Sequence, residues 1–420
     1  MSMDEGAETV AEFRHMNRLV YSRPSSGSLI NSRTQKLSYP ASLSYGLGAT
    51  IQFQVNSGSE SVWGPSSYIK LKALVGTNYA DLTVLGSMLN IVSQARLYHR
   101  SGELLEQVLY SDILSNIKLR YETSTADYAK LYTVIGGNPV IGTASRPVGF
   151  ADNGGGATGY FMLPLSFLFG VFNNHGQYIP AQLLAGARIE LVLNSTGLAC
   201  GFTGTGIDAS SFEPVLSLDC SQLYDSASKQ LLEESADVQS SGLQFTYSTY
   251  FSSQTAVVAN AGINIDVLQS ASITEKVFTV VANSATLATK YAFLPFGASG
   301  VFTYQWRIGA HYLPIYAVKD NTEAFLMTQT AFKGAYHQFS DPQPANGGIG
   351  VTSFADGNSA VYATSLERSS AGVMLSGDAT NNSRVINLSV QGNTQGGFAT
   401  TFLQYVRTAN LMVDSAVVDR

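Results

Sequence analysis

From about residue 41 onward, hydrophobic residues return at every second position in short runs, and each run is bounded by Gly, Ser, Asn or Pro. Ile51, Phe53 and Val55 alternate with polar partners, and Ile69, Leu71 and Ala73 alternate with Lys70 and Lys72. Ile189, Leu191 and Leu193 stand opposite Arg188 and Glu190, and Leu216, Leu218 and Cys220 keep the same step. A period of two sends successive side chains to opposite faces of an extended chain, so each run reads as a half-buried strand. Strands with one apolar face must cover it with another sheet, which narrows the choice to sandwiches and barrels.

The pattern stops over residues 226–242, SASKQLLEESADVQSSG, a polar mini-helix flanked by Ser and Gly that reads as a linker. It restarts at Leu243, Phe245 and Tyr247, runs through 277–281 and through Ile386, Leu388 and Val390, and ends near 402–418. Two helices interrupt it. One is expected over Gly102–Glu122, with Leu105, Val108, Leu109, Ile113, Ile117 and Leu119 roughly on one face, and another over Thr322–Lys333. Gly/Ser/Asn/Asp-rich passages at 136–159 and 341–359 are too long for hairpin turns and read as exposed excursions. A chain of 420 residues exceeds one ordinary core. The expected fold is all-β: two eight-stranded jelly rolls in tandem, with short helices in inter-strand connections. The divisions are an N-terminal arm at 1–40, a first roll at 41–225, the linker at 226–242 and a second roll at 243–420. Phe161-Met162-Leu163-Pro164 with Tyr178-Ile179-Pro180, against Phe293-Leu294-Pro295 with Tyr312-Leu313-Pro314, is a faint echo between the halves.

Charged residues are only 13% of the chain, about half the usual share. A surface so poor in charge is weakly protected from association and suits dense assembly. The net charge of −6 argues against a nucleic-acid-binding body. Cys200 and Cys220 are too few for a disulfide framework; two reduced thiols are the expectation, a single bridge the alternative. The opening MSMDEGAETVAEF is acidic where a secretory signal is basic, and the nearly apolar stretch 160–172 is too short to span a bilayer. Synthesis without secretion is the expectation. The sequons at Asn194, Asn381 and Asn387 read as chance.

Chemistry-bearing patterns are scarce. His15, His99, His175, His311 and His337 are dispersed, with no metal-ligand spacing. No nucleophile elbow, P-loop or dinucleotide fingerprint occurs, and Gly204-Thr205-Gly206 reads as a turn. Glu103 with Glu106, and Glu233 with Glu234, are carboxylate pairs by proximity alone, and solvated helix faces are the plain explanation. Asp152-Asn153-Gly154 lacks the later acids of a calcium loop. The expectation is no enzyme, no cofactor, no metal site and no catalytic residue. The alternative is a carbohydrate-binding or carbohydrate-active β-sandwich, for which two Trp residues, Trp63 and Trp306, are thin support.

Three segments carry a family resemblance. Residues 86–122, GSMLNIVSQARLYHRSGELLEQVLYSDILSNIKLRYE, resemble the strand, Ser-Gly turn and helix of the first roll in double jelly-roll major capsid proteins. Residues 160–193 resemble that roll's later part, with its Leu-Pro-Leu strand end and Gly-Ala-Arg-Ile-Glu strand. Residues 304–333, YQWRIGAHYLPIYAVKDNTEAFLMTQTAFK, are similar to the second roll's Tyr-Gln-x-Arg-Ile-Gly segment and following helix. The combination is best matched in polinton-like viruses and virophages, within the adenovirus hexon lineage.

The resemblance implies a virion capsid protein of an icosahedral DNA virus. Three chains would make a pseudo-hexagonal homotrimer that meets neighbouring trimers, penton proteins and minor capsid proteins. The arm is the locally basic part: Arg14, Arg18 and Arg23 follow the acids of its start, and Val10, Phe13, Met16 and Val20 fall at helical spacing. It reads either as a solvated terminus or as an assembly arm built on Phe13, Arg14, Arg18 and Arg23. Such an arm would meet a neighbour, an internal membrane or the genome.

Overall fold

The computed structural model describes residues 30–58, 60–76, 82–137, 148–152, 156–173, 178–204, 207–223, 243–285, 288–337, 359–367, 379–380, 384–411 and 416–418.

The alternating runs fold as strands with their apolar members inward. In the first half these are β1 (Ile30–Ser38), β2 (Thr50–Gln54), β3 (Tyr68–Val75), β4 (Val92–Tyr98), β5 (Leu104–Leu109), β6 (Ala157–Pro164), β7 (Arg188–Leu193) and β8 (Ser211–Leu223). They form two antiparallel sheets, ordered β1-β8-β3-β6 and β2-β7-β4-β5. Every step along the chain crosses between sheets except the β4–β5 hairpin, which is the winding of a jelly roll. Ile51, Phe53, Ile69, Leu71, Leu97, Phe161, Ile189, Leu191, Leu216 and Leu218 fill the space between the sheets.

The second half winds the same way. Its strands are β9 (Leu243–Val257), β10 (Ile263–Val267), β11 (Thr274–Ala282), β12 (Thr303–Ile308), β13 (His311–Val318), β14 (Tyr362–Ser365), β15 (Ile386–Gln391) and β16 (Gly397–Leu411). The sheets run β9-β16-β11-β14 and β10-β15-β12-β13, so each strand lies where its partner eight places earlier lies in the first roll. Trp306 is wholly buried in this core beside Phe302, Tyr304 and Leu388, while Arg307 points to the exposed face. The repeat is one of winding, not of sequence. Phe161–Pro164 lies in β6, whereas Phe293–Pro295 lies between β11 and β12, so the Pro echo does not mark equivalent places.

In each roll a helix follows the fifth strand: α1 (Ser111–Tyr121), with α2 (Thr125–Leu131) behind it, and later α3 (Asn321–His337). The helix expected over Gly102–Glu122 is therefore half strand. Leu104–Leu109 pairs with β4, and the chain turns into α1 at Tyr110, whose φ of 51° is left-handed. Leu105, Val108 and Leu109 satisfy either period, and the Ser101-Gly102 turn that precedes them is a hairpin signal. The helix expected at 322–333 is α3, longer at its C-terminal end.

A second correction concerns the arm. Residues 30–38, read as part of it, are β1, the first strand of the first roll, paired with β8 from Ile30 opposite Leu223 to Ser38 opposite Leu216. Its less exposed positions are Ser32, Lys36 and Ser38, all polar, so no apolar alternation announces it. Edge strands tolerate this because one flank is solvated, and a lysine there also discourages stray pairing. The passage 136–159 likewise contains a strand, Phe150–Asp152, which extends the sheet beyond β6. The helically spaced Val10, Phe13, Met16 and Val20 of the arm, the linker 226–242 and most of 341–359 lie outside the described residues.

Candidate functional site

β5 is an edge strand, with β4 on one side only, and on its other side it lies against β9 of the second roll. The junction is bonded mostly through the β5 backbone. The Tyr247 hydroxyl and the Arg407 guanidinium both donate to the Leu105 carbonyl, at 2.6 and 2.8 Å. The Ser252 hydroxyl donates to the Leu109 carbonyl at 3.1 Å.

Glu106, between those carbonyls, is fully buried. Its Oε1 accepts from the Thr249 hydroxyl at 2.7 Å and from the Gly170 amide at 2.7 Å, and its Oε2 accepts from the Val171 amide at 3.1 Å. Burial drives this carboxyl above the usual range; the three donors and Lys118 pull it back without cancelling that effect. Gly170 is required by the close approach of the rolls, since a Cβ there would stand 1.7 Å from the Ser248 carbonyl oxygen.

α1 continues the seam. All eleven of its residues are buried, charged ones included, because one face meets the first roll and the other meets the second. Asp112 forms an ion pair with Lys290 and accepts from the Tyr291 hydroxyl at 2.9 Å and from Asn194 at 3.1 Å. Arg120 donates to the Tyr291 carbonyl at 2.7 Å and stacks 4.3 Å from the Phe293 ring centre; burial lowers it to about 10. Burial also lowers Lys118, which donates to the Ser166 carbonyl at 3.2 Å. For Glu122, burial pushes upward, but Lys276 at 2.7 Å together with Lys118 outweighs it and holds the carboxyl below the usual range. Between these polar groups Ile113, Leu114, Ile117 and Tyr121 pack with Tyr250, Phe278, Val280 and Phe402. A buried charge with its partners intact is tolerated; one that loses a partner is costly. The seam therefore fixes one arrangement of the two rolls.

None of these seam contacts was singled out from sequence. Glu106 was read as a solvated helix residue beside Glu103, and nothing local signals that Thr249, 143 residues away, would meet it. Phe13, Arg14, Arg18 and Arg23 lie outside the described residues, as do His15, His175, Glu233 and Glu234. His99 is buried with Nδ1 2.9 Å from the Ser101 hydroxyl, and His311 is exposed on β13. Among the described residues no group of three or more His, Cys, Asp or Glu is placed to hold a metal ion, and no helix is long and apolar enough to cross a membrane. Cys200 and Cys220 are both buried and free; burial raises both thiols, Cys220 to about 11.

No family model and no curated protein matches the sequence. Solved structures do match the fold. A chain of the PBCV-1 virus capsid superposes with a TM-score of 0.62 at 12% identity, covering 95% of this chain and 99% of that one. The Faustovirus major capsid protein gives 0.59 at 9% identity, covering 93% and 92%. The mavirus major capsid protein gives 0.51 at 11% identity, covering 94% and 91%. With sixteen of the described strands wound as two equivalent rolls and nearly full-length superposition on these proteins, the chain has the double jelly-roll fold of viral major capsid proteins.

Proposed function

We propose that this chain is a structural major capsid protein whose homotrimers tile an icosahedral shell, and that it acts by association, not catalysis. The observation that carries this reading is the seam. A buried helix and a charged network hold two equivalent rolls side by side, as a building block with two repeats per chain requires. Full-length likeness to capsid chains of the same winding supports it, and so does the low charge content. The partners on this reading are further copies of the chain, penton and minor capsid proteins, and, through Phe13, Arg14, Arg18 and Arg23, an internal membrane or the genome. Its place is the virion shell.

The test is the native mass of the purified chain at micromolar concentration. Three chain masses are expected, because obligate interfaces of this kind bury upwards of about 2,000 Å². A monodisperse single chain would contradict the reading.

A further inference from the structure

We propose that the chain staples its own two rolls with an isopeptide bond between Lys290 Nζ and the side-chain amide of Asn194, Asp112 carrying the protons. This goes beyond the capsid reading and does not rest on it.

The three side chains come from three places in the fold. Asn194 follows β7, Asp112 stands in the first turn of α1, and Lys290 lies in the turn Ala288–Tyr291 between β11 and β12. Asn194 and Asp112 therefore belong to the first roll and Lys290 to the second. All three are buried, at 8%, 2% and 4% exposure. Lys290 Nζ donates to Asn194 Oδ1 at 3.1 Å. The amide carbon Cγ lies one C=O bond behind that oxygen, so Nζ stands within about 4.3 Å of it. A single atom, Asp112 Oδ2, bridges the two nitrogens. It is 2.5 Å from Lys290 Nζ and accepts from Asn194 Nδ2 at 3.1 Å and from the Tyr291 hydroxyl at 2.9 Å. Nδ2 also donates to the Asn90 carbonyl at 2.6 Å, which fixes the plane of the amide.

An ion pair needs no amide. Here the carboxylate oxygen that holds the amine also holds the nitrogen that the amine would displace, which is where a proton carrier must stand. Nucleophile, electrophile and carrier are already in place, in a site closed to competing water. The other buried lysines of the seam lack the third member: Lys276 pairs with Glu122, Lys118 donates to the Ser166 and Phe167 carbonyls, and among the described residues neither touches a side-chain amide.

The reaction needs no co-reactant. The Lys290 ammonium passes one proton to Asp112, which removes two charges from a buried site. The lone pair of the free amine forms the Nζ–Cγ bond, and the C=O π pair moves onto Oδ1. Asp112 gives its proton to Nδ2 and takes one from Nζ. The Oδ1 pair then re-forms the carbonyl, the Cγ–Nδ2 bond breaks with its electrons on nitrogen, and ammonia leaves with the Asp112 proton as ammonium. Asp112 is a carboxylate again, and the two rolls are joined through side chains 96 residues apart in the chain.

The experiment is the mass of the denatured full-length chain and of its tryptic peptides, for the parent, Lys290→Arg and Asp112→Asn, with circular dichroism to check folding. The parent should be lighter than its sequence by one ammonia and should yield a branched peptide joining Asn194 to Lys290. Lys290→Arg keeps the cation but supplies no amine, and should show the full mass. Asp112→Asn removes the proton carrier and should slow bond formation about 100-fold or more. Should either variant fail to fold, the parent's branched peptide decides alone. A parent of full sequence mass overturns the proposal. So does an ammonia lost within one unbranched peptide, or a branch from Lys290 to Asp112 with loss of water. A folded Asp112→Asn chain that cross-links as fast as the parent overturns the role given to Asp112.

Discussion

At the scale of single residues, Glu106 carries most of the information. It is a buried carboxylate with three donors, two of them amides of the 170–171 segment and the third a hydroxyl of the other roll. Glu106→Ala leaves those donors facing a cavity and is expected to lower stability by about 3–5 kcal/mol, read from denaturant unfolding. Glu106→Gln keeps the shape but sets an amide against the Val171 N–H, and about 1–3 kcal/mol of loss is expected. The pH dependence has a definite sign. The folded-state pKa of Glu106 is raised above the ordinary 4.5, so relative to the unfolded chain folding favours the protonated form. The stability owed to that preference is full below pH 4.5 and is lost as pH rises through the folded value. Glu122 has the opposite sign: its stabilisation is present above 4.5 and is lost as pH falls through its lowered folded value. The stability gap between the parent and Glu106→Gln should therefore narrow as pH rises from 4.5. A gap that widened would show that Glu106 is charged at little cost.

At the scale of elements, β1 and β5 show what the sequence conveys and what it does not. β2, β3, β7 and β8 were legible because a half-buried strand must alternate, and Ile51, Phe53, Ile69, Leu71, Ile189 and Leu191 do so. β1 was not, because the inward side of this edge strand is polar: Lys36 turns to the Ser57 carbonyl at 2.9 Å and to Glu60 at 3.1 Å. β5 was taken for helix because both of its faces are buried, Leu105 in the first core and Glu106 and Val108 in the seam, and burial on both faces erases the period of two. The correction changes what truncation should do. Removing residues 2–29 leaves β1 whole and should preserve solubility, β content and melting temperature. Removing 2–36 leaves only Leu37 and Ser38 of that strand and uncovers the edge of β8, so aggregation or a markedly lower melting temperature is expected. Equal behaviour of the two truncations in circular dichroism and light scattering would mean that β1 contributes little to the first roll.

For the whole molecule, the repeat lies in how the chain winds and not in which residues it uses. That explains why the division into two β-rich halves could be read from alternation while the seam could not. Alternation is local, whereas Glu106 meets Thr249, Arg120 meets Tyr291 and Tyr121 meets Ser359 across more than a hundred residues in each case. The seam joins the two rolls into one block. Images of the negatively stained, purified full-length chain test this most directly. Class averages should show closed particles of six similar lobes with three-fold symmetry, two lobes for each copy of the chain. Isolated two-lobed particles at the same concentration would contradict the account.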